Sequence, residues 1–431
     1  MLEEIKSVEK EKAILVGVSG VEANRWVTEE HLNELELLAE TAGAQVVDII
    51  MQDRKKLDAG YYIGRGKAEY LANVAQELKA EVIIFDDDLT PAQTKNLSNL
   101  TDKKVIDRSA LILDIFANRA QTREARTQVE LAQLRYSLPR LTRAWTHLSR
   151  QVGGIGTRGP GETQLEVDRR LIRRRITSLE RELEKIEKQR VQRRKHRDEA
   201  FKVALVGYTN VGKSTLMNAL TDSDVFVENR LFATLDATVR ELKFSPNESV
   251  LLIDTVGFIR KLPHHLVASF RSTLEETVEA NLLLHQIDIS HPDFEEQIAT
   301  VRTVLHDLKL DDTPVLYVFN KIDALENKNL INAMREKYEP SVFVSAARPL
   351  FLNDLKQEIY RFYRQTEQVL RCTIHAADGE SLSKIYSMAE VIDRVIEEDK
   401  IILRSRASVK NAERLKHFAQ EKGFSVETIS G

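Results

Sequence analysis

Along residues 1–118, short apolar runs alternate with helical patterns: "AILVGV", "LNELELLAETAG", "AQVVDIIM", "KAEYLANVAQELKA" and "EVIIFDDD" follow one another. That rhythm predicts a parallel sheet with helices between its strands, an N-terminal α/β domain. From residue 119 the period changes. Leu131, Leu134, Leu138, Leu141, Trp145 and Leu148 step by three and four, and the spacing returns in Leu165, Ile172, Ile176, Leu179, Leu183 and Ile186. Two helices with facing apolar seams predict an antiparallel coiled-coil hairpin over residues 119–198, with Pro139 kinking or interrupting its first helix. An arm of about 25–30 residues at ~1.5 Å per residue reaches roughly 40 Å, and it carries at its tip the glycine-rich stretch 153–163.

The pattern changes again at residue 199. "FKVALVGYTNVGKSTLMNAL" reads as strand, glycine loop and helix, and opens a third domain predicted to run to residue 365. Residues 366–431 read as a strand "QVLRCTIHA", a helix from about Glu380 to Glu398, a strand "KIILRSR" and a helix "KNAERLKHFAQEKG", a small C-terminal α/β domain with no assignable chemistry. Near Gly64, Gly66 and Lys67, "YYIGRGKAEY" has glycines and a lysine ahead of a helix. Its spacing fits neither nucleotide fingerprint, and a strand-to-helix turn accounts for the glycines.

Composition narrows the class. A chain of 431 residues, 42% hydrophobic and 30% charged, has the apolar content for several cores. Its one cysteine, Cys372, excludes an internal disulfide, and no apolar run is long enough to span a bilayer or is flanked like a signal peptide. The expected location is cytoplasmic, with a membrane-associated fraction. The net charge of −4 conceals an asymmetry: residues 135–197 hold 18 Lys/Arg against 7 Asp/Glu. A one-signed, arginine-rich arm flanking a glycine tip suits phosphate and close backbone approach to packed RNA, and a solvated coiled coil is the competing explanation. The candidate RNA contacts are Gly153, Gly154, Arg158 and Gly159 at the tip, with Arg169, Arg170, Arg173 and Arg174 on the second helix.

The third domain carries the chemistry. Gly207, Tyr208, Thr209, Asn210, Val211, Gly212, Lys213 and Ser214 fit G-x-x-x-x-G-K-[ST] between a strand and a helix. Such a loop turns backbone N–H groups to phosphates, with the lysine on the β- and γ-phosphates and the serine hydroxyl on Mg²⁺. Asp254, Thr255, Val256 and Gly257 form Asp-x-x-Gly after an apolar strand, which suits an acid holding the Mg²⁺ shell through water and an amide meeting the γ-phosphate. Asn320, Lys321, Ile322 and Asp323 follow "PVLYVF". A carboxylate at Asp323 accepts from guanine N1–H and N2–H₂ together, which adenine cannot supply, so the expected substrate is GTP. Ser345, Ala346 and Ala347 are placed to offer amides to the guanine O6, and Thr234 and Thr238 are both candidates to complete the metal shell. No catalytic residue stands out: Phe258 occupies the place after Asp-x-x-Gly where many GTPases have a water-orienting glutamine, leaving Lys213 and Gly257 as supporting groups.

Together with "YYIGRGKAEYL", "FDDDLTPAQTKNL", "LILDIFANRAQTREARTQVELAQLRYSLPRL", "GGIGTRGPGETQLEVDRR" and "LFATLDATVR", these motifs stand in an order that resembles the HflX family of ribosome-associated GTPases over nearly the whole chain. The resemblance implies a Ras-like G domain that binds GTP and GDP, with Mg²⁺ held by Ser214 and by Thr234 rather than Thr238, in a nucleotide-contacting segment of Phe232, Ala233, Thr234, Leu235 and Asp236. It also implies the large ribosomal subunit and its rRNA as partners, a hairpin tip directed at the peptidyl transferase centre, and splitting or rescue of stalled ribosomes under stress. The hairpin satisfies its own seam, so a monomer is expected. Two other readings stay open, a signalling switch with a protein effector and a ribosome-assembly GTPase. With Phe258 unable to orient water, the isolated protein is expected to turn over GTP far below the ~10 s⁻¹ of a partner-stimulated GTPase. Steady-state phosphate release measures this, and a rate near that value would remove the need for a partner.

Overall fold

The computed structural model describes residues 10–20, 24–141, 164–194, 200–221, 231–232, 237–245, 248–261 and 278–429. Trp145, Leu148, Gly153, Gly154, Arg158 and Gly159, and the segment Ala233, Thr234, Leu235 and Asp236, lie outside the described residues.

The N-terminal sheet has four parallel strands, β1 (Lys12–Ser19), β2 (Gln45–Asp53), β3 (Val82–Phe85) and β4 (Lys104–Asp107), in the order β2-β1-β3-β4. The connecting helices are α1 (Arg25–Thr41), α2 (Arg65–Glu77) and α3 (Pro91–Thr101), followed by α4 (Arg108–Arg119). Helices on both faces explain why β1 and β3 read as continuous apolar runs rather than alternating ones. Helix starts are encoded locally. Thr90 and Gln93 form a reciprocal capping box with Pro91 in the first turn, and Asp107 accepts from the Ala110 N–H at 2.9 Å. Gly64 is the N-cap of α2, so "YYIGRGKAEY" is a turn into a helix.

In the middle region, α5 (Arg123–Ser137) lies beside α6 (Gln164–Arg194). Thr122 caps α5, and Pro139 sits in a 3₁₀ turn over Leu138–Arg140 that follows the end of the helix. Leu131 on α5, Leu141 just beyond it, and Ile172 and Leu179 on α6 are buried, as the heptad pattern requires. Ion pairs cross the helix pair on its flanks: Arg175 grips Glu130 through Nε and NH2 at 2.7 and 2.8 Å, Arg135 meets Glu180 at 2.7 Å, and Arg123 meets Glu182 at 2.8 Å. The 31 residues of α6 span about 46 Å at ~1.5 Å per residue.

A second sheet contains β5 (Lys202–Gly207), β6 (Thr238–Ser245), β7 (Glu248–Asp254), β8 (Leu282–Asp288), β9 (Val315–Asn320) and β10 (Ser341–Phe343), ordered β10-β9-β8-β5-β7-β6. Only β6 runs antiparallel to its neighbour. Its helices are α7 (Lys213–Thr221), α8 (Phe294–Asp307), α9 (Asn329–Lys337) and α10 (Leu352–Gln365). The chain closes with β11 (Glu367–His375), α11 (Gly379–Met388), β12 (Glu390–Glu397), β13 (Lys400–Ser408), α12 (Val409–Lys422) and β14 (Ser425–Ile429), an antiparallel sheet in the order β12-β13-β11-β14. The helix expected to reach Glu398 stops at Met388. "EVIDRVIE" is a strand because it pairs antiparallel with β13 across a short turn, with one bulge at Ile392, a partner that the helical spacing of its valines and isoleucines does not reveal.

The N-terminal and G-domain sheets share one apolar cluster. Leu35, Ile112 and Phe116 on one side meet Leu231, Phe232, Phe258 and Ile259 on the other, with the Phe116 and Phe232 rings edge-to-face at 4.6 Å. Beside it Arg108, 1% exposed, pairs with Glu34 and, at 2.9 Å, with Asp86. Replacing Arg108 with Met would leave the buried Asp86 and the partly buried Glu34 short of a cation, at a cost of about 3–5 kcal/mol. The expected result is a clear drop in the urea midpoint of N-terminal domain unfolding, and an unchanged midpoint would show that Arg260 and Lys261 compensate for the loss.

Candidate nucleotide site

The loop from Gly207 to Gly212 joins β5 to α7, at the carboxyl edge of the sheet where such folds bind ligands. Two glycines, one in this loop and one in Asp-x-x-Gly, are sterically required. A Cβ on Gly207 would lie 2.3 Å from the Gln286 carbonyl oxygen, and one on Gly257 would lie 2.8 Å from Thr209 Cα and 2.9 Å from Lys213 Nζ. Lys213, 7% exposed, donates to the carbonyls of Tyr208 at 2.9 Å and Gly207 at 3.3 Å. Burial pushes its ammonium down to about 8, with Asp254 opposing the shift.

Ser214 donates to Asp254 Oδ2 at 2.6 Å, which brings a hydroxyl from the start of α7 onto the carboxylate that ends β7. Both are hard oxygen ligands of the kind Mg²⁺ prefers. Among the described residues there is no group of three or more His, Cys, Asp or Glu that could hold a metal. Thr209 Oγ1, on the loop itself, is buried without a hydrogen-bond partner among the described residues, as fits a site built to receive an anion. Thr255 is turned inward, donating to the Leu205 carbonyl at 2.6 Å, and Thr238 starts β6, paired with Asp254.

The far end of the site is tied to the same loop. Asn320 donates to the Val211 carbonyl at 2.8 Å and accepts from the Ala346 N–H at 2.9 Å. Lys321 donates to the Asn210 carbonyl at 3.0 Å and pairs with Asp288 at 2.6 Å. Asp323 accepts from Ser345 Oγ at 2.6 Å and meets Arg348 at 3.2 Å, while Ala347 is exposed. Ile322 follows, its N–H on the Val344 carbonyl at 3.3 Å. Gln286 and Asp288 on β8 were not singled out from the sequence, yet Gln286 Nε2 donates to the Val211 carbonyl at 3.0 Å beside Asn320. Their only local signal is polarity at the end of an otherwise apolar strand, "LLLHQID".

Residues 29–117 match the model of the GTP-binding GTPase N-terminal family, residues 119–197 that of the GTP-binding GTPase middle region, and residues 202–321 that of the 50S ribosome-binding GTPases. GTPase HflX of Escherichia coli (strain K12) is 45% identical over 375 residues, 86% of this chain and 88% of that one. The HflX GTPases of Flavobacterium psychrophilum and Caldanaerobacter subterraneus subsp. tengcongensis are 53% identical over 76% of this chain and 79% of theirs, and 45% identical over 95% and 94%. The chain belongs to the HflX GTPase family. It is a GTP hydrolase of the ribosome-binding type, and no helix among the described residues is long and apolar enough to cross a membrane.

In this HflX GTPase, Phe258 stands directly after Asp-x-x-Gly. Its side chain is 1% exposed, buried in the apolar cluster shared with the N-terminal domain, so the position after Asp-x-x-Gly is occupied by an interface residue. Its backbone bridges to the phosphate loop, the Phe258 N–H to the Gly207 carbonyl at 3.0 Å and the Thr209 N–H to the Phe258 carbonyl at 2.8 Å.

On α6 the arginines divide by direction. Arg175 is committed to Glu130, whereas Arg173 and Arg174 are exposed and line an open groove with Arg169, Arg170 and Arg181. Arg169 also donates to the Leu141 carbonyl at 3.4 Å.

A phosphate at Lys213 would restore the ammonium that burial suppresses. Nucleotide affinity is therefore expected to fall as pH rises through about 8, by up to ~10-fold per pH unit, with proton uptake on binding. Calorimetry at pH 9 in two buffers of different ionisation enthalpy measures that uptake, and its absence would place the ammonium elsewhere.

Proposed function

We propose that this HflX GTPase uses GTP binding and hydrolysis to split or rescue stalled ribosomes under stress, with its helical hairpin directed at rRNA of the large subunit near the peptidyl transferase centre. In this reading Lys213 holds the β- and γ-phosphates, and Ser214 and Thr234 ligate Mg²⁺ while Asp254 acts through water. When bound there, Mg²⁺ would supply charge neutralisation to the phosphates. Gly257 offers its amide to the γ-phosphate, Asp323 reads guanine, and Ser345, Ala346 and Ala347 border the base. Water is oriented by a group that the ribosome supplies or repositions, since Phe258 faces the N-terminal domain.

The observation that supports the ribosomal role is the arginine-rich groove on α6, where Glu166 and Glu182 are outnumbered by Arg123, Arg169, Arg170, Arg173, Arg174, Arg181 and Lys185. Glu130, Glu180 and Glu182 are engaged in ion pairs between the two helices, and Arg173 and Arg174 are exposed. Guanidinium forks in an open groove suit the phosphates of an RNA backbone. Neutralising four phosphates gives a log–log salt slope of about −3 to −4.

Sedimentation with ribosomal subunits in GTP, GDP or a non-hydrolysable analogue, at two salt concentrations, tests this. Co-migration with the large subunit that depends on nucleotide and salt is expected, and a protein that stays at the top of the gradient in every condition sinks the proposal. Replacing Arg173 and Arg174 with Glu is expected to weaken co-migration and flatten its salt dependence by ~2 in slope.

A further inference from the structure

An open parallel α/β sheet binds its ligand outside the carboxyl ends of the strands, where the strand order reverses. In the N-terminal sheet that point lies between β1 and β3, and β3 runs directly into Asp86, Asp87 and Asp88. The crevice is filled by the chain itself. Lys261 Nζ donates to Asp86 Oδ2 at 3.0 Å and pairs with Asp87. Arg260 NH2 lies 3.2 and 3.3 Å from the two Asp86 oxygens, and its Nε is 3.3 Å from Glu34 Oε1. Asp86 is 3% exposed, with Arg108 bound to it from within the domain. Burial raises the Asp86 pKa, and Arg108, Arg260 and Lys261 outweigh that and hold the carboxyl below its usual range.

A further link joins the crevice to the nucleotide site. Tyr208, second residue of the phosphate loop, donates its hydroxyl to Glu34 and accepts the Arg260 N–H at 3.0 Å. Arg260 and Lys261 stand three and four residues after Gly257, so the segment that must meet a γ-phosphate is pinned at one end by the N-terminal domain.

We infer that Glu34, Asp86 and Asp87 form a binding site for a dibasic segment, that its occupant is Arg260–Lys261, and that this docked state favours GDP over GTP. The inference rests on the reading that the loop Gly207–Ser214 holds the nucleotide. GDP has no γ-phosphate to draw on the Gly257 amide and binds the docked state without cost. GTP pulls Gly257 toward its terminal phosphate and works against the Lys261 and Arg260 contacts. A ligand shifts such an equilibrium only by its differential affinity for the two states, and the coupling is reciprocal. GTP therefore loosens the N-terminal domain, and loosening that domain favours GTP.

The test measures fluorescent GDP and a fluorescent non-hydrolysable GTP analogue on the full chain. Lys261→Asp is expected to shift the affinity ratio ~10-fold toward the GTP analogue, with GDP affinity within about twofold of the parent. Asp87→Lys added to Lys261→Asp restores a pair of opposite charge and is expected to return most of the shift. Both side chains are partly exposed, at 34% and 21%, and although Lys261 also touches Asp86, Arg108 and Arg260 remain on that carboxylate in either variant. A ratio that does not move in Lys261→Asp, or that the second substitution does not recover, overturns the clasp. A parent chain that binds neither nucleotide is a different result and sinks the nucleotide site itself.

Discussion

Two backbone hydrogen bonds, between Phe258 and the Gly207–Thr209 stretch, decide how much of the molecule is mechanically joined. Each contributes roughly 0.5–1.5 kcal/mol net, and they fix a register that no side chain can adjust. The glycine loop and the segment after Asp-x-x-Gly then form one surface. Onto it the N-terminal domain places Phe116 against Phe232 and Glu34 against Tyr208. Gly257, proposed above to meet the γ-phosphate, therefore sits in a segment braced by two domains. This accounts for a phenylalanine where a glutamine is common: the position is filled from the N-terminal side before the nucleotide is considered.

The hairpin shows a related division of labour. Successive residues on a helix point about 100° apart, and Arg175 is the one turned onto Glu130, while Arg173 and Arg174 both line the open groove. Arg175 holds the two helices together, and its neighbours keep their charge for solvent or a partner. Net charge over residues 135–197 describes neither role, because it adds ion-paired and uncommitted arginines alike.

What could be read from the chain followed from how local the cause is. The motif Gly207–Ser214 encodes its own strand, turn and helix, and Asn320 and Asp323 stand at the end of an apolar run, so both were legible. Gln286, which shares the Val211 carbonyl with Asn320, carries no pattern and becomes visible only when β8 is laid beside β5. The strand Glu390–Glu397 has apolar residues at spacings that satisfy a helix as well as a strand, and its pairing with Lys400–Ser408 settles the matter. The crevice around Asp86 lies beyond any local reading, since "FDDD" and "IRK" are separated by 174 positions between Asp86 and Arg260.

The apolar cluster has a practical consequence for anyone cutting the chain. A fragment starting at Phe201 would carry Leu231, Phe232, Phe258 and Ile259 to its surface at one place, beside a phosphate loop whose tyrosine had lost its carboxylate. Contiguous patches of this kind are uncommon on monomeric soluble proteins and favour self-association. The excised G domain is thus a chemically different object from the G domain in the intact chain, with a sticky face next to its nucleotide.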